Sequence, residues 1–309
     1  MRILITGGAG YIGSELVGVL LKAGHSVTVL DNLMYDATSL LRYMIEPQFS
    51  FIKGDVRNTH LLEREVSKHD VVIPLAALVG FPLCDDNPRE AQEINHDVNK
   101  WIAKNKSNEQ IVIYPCTNSG YGVSSDGSVC TEESPLNPSS LYGKTKVAAE
   151  GEYDGVENHL NFRLATVFGP SSRMRTDLMV NNFVLKALRE KILVLYECEF
   201  MRNYVHIQDV CEAFSFVIEN WDDCKNQTYN VGNDSVNMNK LQLAQKIKSH
   251  LPLEIIKAEF TSDPDVRDYM VSSKKIFDKG FSCRYNLDDG IKQLIKSYSL
   301  LESPWYANY

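Results

Sequence analysis

Tyr142 and Lys146 stand four residues apart, and on a helix that spacing puts two side chains on one face. An ammonium beside a phenol favours the phenolate and draws its pKa down from an ordinary value of about 10. Such a tyrosine can take the proton of a sugar hydroxyl while a neighbouring acceptor takes hydride from the same carbon. Chance alone supplies a Tyr-x-x-x-Lys in a chain of 309 residues with 15 tyrosines, so the pair needs a context.

The context begins at Thr6-Gly7-Gly8-Ala9-Gly10-Tyr11-Ile12-Gly13. Gly7, Gly10 and Gly13 fall between a strand at 2–6 and a helical pattern at 11–23. There glycine lets the backbone turn sharply and lets a pyrophosphate approach the N-terminus of the helix. A second strand ends at Asp31, whose carboxylate is placed to accept hydrogen bonds from the adenosine ribose and to repel a 2′-phosphate. Asn32 follows, and no arginine appears until Arg42. The expected cofactor is NAD.

The elements that must position these residues alternate. Apolar runs predict strands at 2–6, 26–30, 49–53, 70–75, 110–115 and 160–166, with helical patterns filling most of the gaps. This pattern predicts an α/β fold, a doubly wound parallel sheet of the Rossmann kind covered on both sides. After Phe168-Gly169-Pro170 the rhythm changes, with helices expected near 176–190, 208–220, 239–250 and 288–300. We read residues 1–166 as the dinucleotide-binding domain. Residues 167–309 then form a smaller α/β lobe for substrate, with a segment near 200–232 returning to the first domain. Residues 124–140 read as a surface loop.

Composition bounds the class. Apolar content of 44% and charged content of 23% are ordinary for a globular protein. A net charge of −8 argues against nucleic acid or a membrane surface as partner. The seven cysteines are dispersed with no Cys-x-x-Cys, which favours reduced thiols over a disulfide framework, and no metal site is expected. The chain opens directly on a strand, and its longest apolar stretch is short and broken by Pro74 and Pro82. The expected location is the cytoplasm.

Taken together, the glycine turn, Asp31-Asn32, Gly54-Asp55-Val56, Leu75-Ala76-Ala77, Asn95, Tyr142-x-x-x-Lys146 and Arg202-Asn-Tyr-Val-His-Ile-Gln-Asp209 resemble the extended short-chain dehydrogenase/reductase family of nucleotide-sugar epimerases and dehydratases. The resemblance spans nearly the whole chain. It implies that Asp55 and Val56 contact the adenine and that Leu75, Ala76 and Ala77 line the cofactor cleft. Pro74 stands where the family usually has histidine. The family's catalytic hydroxyl lies four residues before a Tyr-Gly pair, here Tyr121-Gly122, and so falls on Thr117, with Ser119 as its competitor. The resemblance also implies diphosphate or sugar contacts from Arg202 and Tyr204, from Asn182 or its neighbour Asn181, and from Arg267; Arg173 and Arg175 join them as charged residues just after Gly169-Pro170. Relatives pair through two helices each, so a homodimer is expected, using the helix after Asn87 and the Tyr142 helix.

The 4,6-dehydratases of this family carry Asp-Glu directly after the catalytic threonine. Here Asn118 and Ser119 hold those places; both are expected to contact the substrate, and neither is a carboxylic acid. That leaves oxidation at C4 of a nucleoside-diphosphate sugar, ending in a released ketone or, after return of the hydride to the other face, in an epimer. Ala76-Ala-Leu-Val-Gly80, Thr117-Asn-Ser-Gly-Tyr-Gly122, Arg173-Met-Arg-x-Asp-Leu and Pro264-Asp-x-Arg-Asp-Tyr269 resemble a narrower group, GDP-heptose 4-dehydrogenases of bacterial surface-polysaccharide biosynthesis. A UDP-sugar 4-epimerase is the alternative within the family. A non-catalytic NAD-binding regulator is the alternative from another class, although such a protein would commonly lose the tyrosine or the lysine.

Overall fold

Strands β1 (Arg2–Thr6), β2 (Ser26–Asp31), β3 (Phe49–Lys53), β4 (Val71–Pro74) and β5 (Ile111–Thr117) build the first half of the fold in a computed structural model. It describes residues 1–35, 37–124, 128–258 and 267–301. The later strands are β6 (Val129–Cys130), β7 (His159–Leu164), β8 (Thr166–Phe168), β9 (Ile192–Leu195), β10 (Met201–His206), β11 (Gln227–Val231), β12 (Asn237–Asn239), β13 (Glu254–Lys257) and β14 (Met270–Val271). Seven of them form one sheet in the order β11-β7-β5-β4-β1-β2-β3. Every neighbouring pair in it is parallel.

The apolar runs become strands because both faces of the sheet are covered. All residues of β4, β5 and β7 are buried. One face packs on helix α1 (Tyr11–Lys22) and the helix Ile207–Glu219. The other packs on residues 88–105 and the helix Leu141–Gly151. The chain order reverses between β1 and β4, and there Gly7 meets the loop after β4. A Cβ on Gly7 would sit 2.6 Å from the Ala76 backbone, and its φ of +69° already lies in the left-handed region.

A second apolar core joins the helices Met179–Arg189, Lys240–Lys248 and Leu287–Tyr298. Beside them lie a three-stranded sheet, β12-β10-β8, and the parallel pair β9–β13. The intervening helix Ile207–Glu219 packs on α1, and β11 takes the edge of the main sheet beside β7. One local feature goes beyond simple helical periodicity: Gln92–Asp97 forms a π-helical turn that projects Asn95 into the interior.

Candidate active site

A cavity of about 1050 Å³ opens at the carboxyl ends of the main strands and extends into the C-terminal lobe. At its first end stands α1. Gly10 is the N-cap and offers no side chain, and the first turn carries no acid. The amides of that turn are therefore available to an anion, which the helix dipole favours. A Cβ on Gly13 would meet the Gly8 backbone at 2.5 Å, so the tight turn demands glycine there. Gly7, Gly10, Tyr11, Ile12 and Gly13 all line the cavity, as do Asn32, Asp55, Val56, Leu75, Ala76 and Ala77.

Asp31 is set in place by the backbone. Its Oδ2 accepts from the Ala9 amide at 2.9 Å and its Oδ1 from the Leu33 amide at 2.8 Å. Burial pushes its pKa up, opposed by those two donors and by the charge of Arg173. An uncapped helix end beside glycine, with a fixed carboxylate at the end of β2, fits the pyrophosphate and ribose of NAD.

The second half of the cavity holds the residues expected to do chemistry. Thr117 ends β5, and its Oγ1 accepts from the Ser119 amide at 3.1 Å. The Ser119 hydroxyl in turn accepts from Arg267 Nη1 at 2.6 Å. Ser140 caps the following helix by accepting from the Gly143 amide at 3.2 Å, which starts the helix two residues before Gly143. Tyr142 and Lys146 consequently lie on one face and both reach the cavity with Thr117.

The electrostatics differ from the simple expectation for a Tyr–Lys pair. Burial pushes the Tyr142 phenol upward, and the charges of Arg175 and Arg267 oppose this. Lys146 is buried with its ammonium 4.3 Å from the centroid of the Tyr114 ring. Desolvation brings its pKa down to about 8.

Some residues expected at the substrate stand elsewhere. Asn118 is buried and does not line the cavity; among the described residues neither its Oδ1 nor its Nδ2 has a hydrogen-bond partner. Asn181 is also off the cavity, because it is spent on structure: it accepts from the Gly169 amide at 3.0 Å and donates to the Arg175 carbonyl at 2.9 Å. Its neighbour Asn182 lines the cavity instead. Arg202 and Tyr204 are buried behind the wall, where Arg202 donates to the Met201 carbonyl at 2.9 Å and Tyr204 to Met179 Sδ at 3.2 Å. Arg173, Arg175 and Arg267 do line it, and Arg175 is paired with Asp177. Asp263 to Val266 lie outside the described residues.

The sequence motifs missed other parts of the wall. Phe183, Tyr196 and Lys240 line the far end, and Tyr35 stands beside Arg173. None belongs to a repeating pattern; only the packing of the second lobe brings them in. Asn95 was visible as a marker but not in its work. Its Oδ1 accepts from the Leu78 amide at 2.8 Å, and its Nδ2 donates to the Leu78 carbonyl at 3.0 Å and to Thr145 Oγ1 at 3.3 Å. Those bonds tie the cofactor-side loop to the Tyr142 helix.

Fold and site together define a dinucleotide-dependent enzyme of the Rossmann class. The sequence model of the NAD dependent epimerase/dehydratase family matches residues 3–232, and the chain belongs to that family. It is 27% identical to the low-salt glycan biosynthesis protein Agl12 of Haloferax volcanii, over 96% of this chain and 98% of that protein. It is also 27% identical to protein CapI of Staphylococcus aureus, over 100% and 99% of the two chains. Among solved structures, DesIV, a dTDP-glucose 4,6-dehydratase from Streptomyces venezuelae with NAD bound, superposes with a TM-score of 0.86. That match is at 24% identity and covers 97% of both chains. The UDP-glucose 4-epimerase of Thermotoga maritima, solved with UDP-glucose, gives 0.84 at 24% identity, over 97% of this chain and 99% of that one. The protein is thus an NAD-dependent nucleotide-sugar enzyme of the epimerase/dehydratase kind. Among the described residues no helix is long and apolar enough to cross a membrane, and no cluster of side chains could hold a metal ion.

Proposed function

We propose that the enzyme oxidises the C4 hydroxyl of a nucleoside-diphosphate sugar. Tyr142 takes the hydroxyl proton, Thr117 holds the same oxygen, and Lys146 supplies positive charge behind the tyrosine. Bound NAD, held by the α1 turn, Asp31, Asn32, Asp55, Val56 and the Leu75–Ala77 loop, supplies the hydride acceptor. Ser119, Arg175, Asn182 and Arg267 face the sugar and its diphosphate.

One observation supports oxidation over loss of water. Three carboxylates line the cavity among the described residues, and each is already engaged: Asp31 by two amides, Asp55 by Arg57 and Asp177 by Arg175. Where a dehydratase needs an acid and a base beside the threonine, Asn118 is buried off the cavity and Ser119 is held by Arg267. Among the described residues, a 4-keto sugar formed here therefore meets no free carboxylate placed to expel the C6 hydroxyl. Its fate is release, as in a GDP-heptose 4-dehydrogenase of surface-polysaccharide biosynthesis, or reduction from the opposite face to a 4-epimer.

The test is a screen of UDP-, GDP-, CDP- and dTDP-sugars by mass spectrometry. Loss of two hydrogens identifies a released ketone, and an unchanged mass at a new retention time identifies an epimer. Loss of the elements of water would overturn the proposal. We further propose that two copies pair through residues 88–105 and the Tyr142 helix; a monomer by light scattering at micromolar concentration refutes this.

A further inference from the structure

Arg173 was expected at the substrate, but its surroundings belong to the other end of the cavity. The loop that carries it is stapled to the first turn of α1. Tyr11 Oη donates to the Gly169 carbonyl at 2.7 Å, and Ser171 Oγ donates to the Tyr11 carbonyl at 2.7 Å. The amide and hydroxyl of Ser172 both reach Glu15 Oε1 at 2.8 Å. Arg173 follows at once, its amide donating to Ser171 Oγ at 3.3 Å. The backbone thus brings Arg173 beside the helix end that fits a pyrophosphate.

What the guanidinium meets agrees. It lies over the Tyr35 ring, 4.4 Å from the centroid, and its charge acts on Asp31, the carboxylate at the ribose position. The Tyr35 hydroxyl is withdrawn from solvent and has no hydrogen-bond partner among the described residues. A phenol oxygen shut off from water without a partner is costly, and Tyr35 lines the cavity. Arg173 Nη1 also donates to the Met174 carbonyl at 3.1 Å, while Arg267, the arginine of the Tyr142 end, is bonded to Ser119.

We propose that Arg173 and Tyr35 bind the dinucleotide rather than the sugar nucleotide, forming a clasp between the loop after β2 and the loop after β8. Arg173 neutralises the pyrophosphate and Tyr35 contributes its hydroxyl. Because the two residues belong to different loops, the cofactor leaves only when their contact opens. The inference rests on NAD occupying the α1 end and does not depend on which sugar is oxidised.

The experiment uses the full-length chain freed of nucleotide, titrated calorimetrically with NAD, ADP-ribose, UDP and GDP. Arg173→Gln keeps much of the stem and drops the charge; Tyr35→Phe removes only the hydroxyl. The expected result is at least ~10-fold weaker NAD and ADP-ribose binding for Arg173→Gln and ~3-fold for Tyr35→Phe, with faster NAD release. UDP and GDP binding should stay within about twofold of wild type. Unchanged NAD and ADP-ribose affinity in both variants, with unfolding transitions like wild type, overturns the clasp. A loss confined to UDP or GDP overturns it too and returns Arg173 to the substrate. These readouts need no turnover, so failure of the sugar-oxidation proposal leaves them interpretable.

Discussion

The Lys146 ammonium lies against the face of Tyr114, whose own hydroxyl donates to the Lys146 carbonyl at 3.0 Å. That enclosure makes the lysine costly to keep charged. Its pKa is about 8 in the folded protein against an ordinary value near 10.5, so the unfolded chain binds more protons between those values. The cost is fully present below pH 8 and fades as pH rises towards 10.5. Lys146→Met should therefore be more stable than wild type at pH 7, by up to about 3 kcal/mol. The gain should shrink above pH 8. Denaturant melts at pH 7 and pH 10 check this, and equal gains at both would refute it.

Turnover should follow the same residue in the opposite sense. A charged Lys146 supports the Tyr142 phenolate, so kcat/KM should fall as pH rises through about 8. In Lys146→Met that descending limb should disappear along with most of the rate.

Tyr142→Phe removes the proposed base while leaving the ring in the wall. A loss of kcat of at least ~100-fold is expected, with NAD affinity little changed. Turnover of the true substrate near wild-type rate would remove Tyr142 from the chemistry and reopen the reading of a regulator that binds NAD without reacting it.

The fold was legible because its signals are local. Buried parallel strands read as unbroken apolar runs, and a turn that must let backbone pass backbone reads as glycine. Tyr142, Lys146 and Thr117 were legible for the same reason, each fixed by a short motif within one element. The substrate end was not. Asn181 and Asn182 are chemically identical neighbours, and only helix phase decides that one is spent on Gly169 and Arg175 while the other faces the cavity. Arg202 looks like a phosphate ligand in sequence, yet β10 turns it behind the wall. The height of the Tyr142 pKa also escaped the motif, since four-residue spacing says nothing of how much protein surrounds the phenol.

Arg163 and Glu150 form a buried pair that ties β7 to the Tyr142 helix, with Nη2 2.7 Å from Oε1. Arg163 also donates to Tyr121 Oη at 3.0 Å and to the Glu132 carbonyl at 2.9 Å. Glu150→Gln leaves a buried guanidinium without its counter-charge and should cost about 3 kcal/mol. The double change Glu150→Leu with Arg163→Met should cost less than either single loss of charge, since no lone ion remains. Strictly additive effects in a double-mutant cycle would show that the two are not coupled.

His206 gives the fold an acid limit. It caps the helix Ile207–Glu219, with Nδ1 accepting from the Gln208 amide at 3.2 Å and Nε2 donating to Gln293 at 2.9 Å. Its ring stacks on Tyr285 with centroids 4.4 Å apart. The accepting Nδ1 needs the neutral ring, while the bond to Gln293 favours the charged one; burial outweighs that bond and brings the pKa down to about 4. The folded value lies below the unfolded one near 6.5, so the unfolded chain binds more protons between them. Stability should therefore fall as pH drops through 6.5 and lose about 3 kcal/mol by pH 4. His206→Gln cannot gain that proton, and its thermal midpoint should change less than that of wild type between pH 7 and pH 4.5. Parallel losses in the two proteins would mean that other groups set the acid limit.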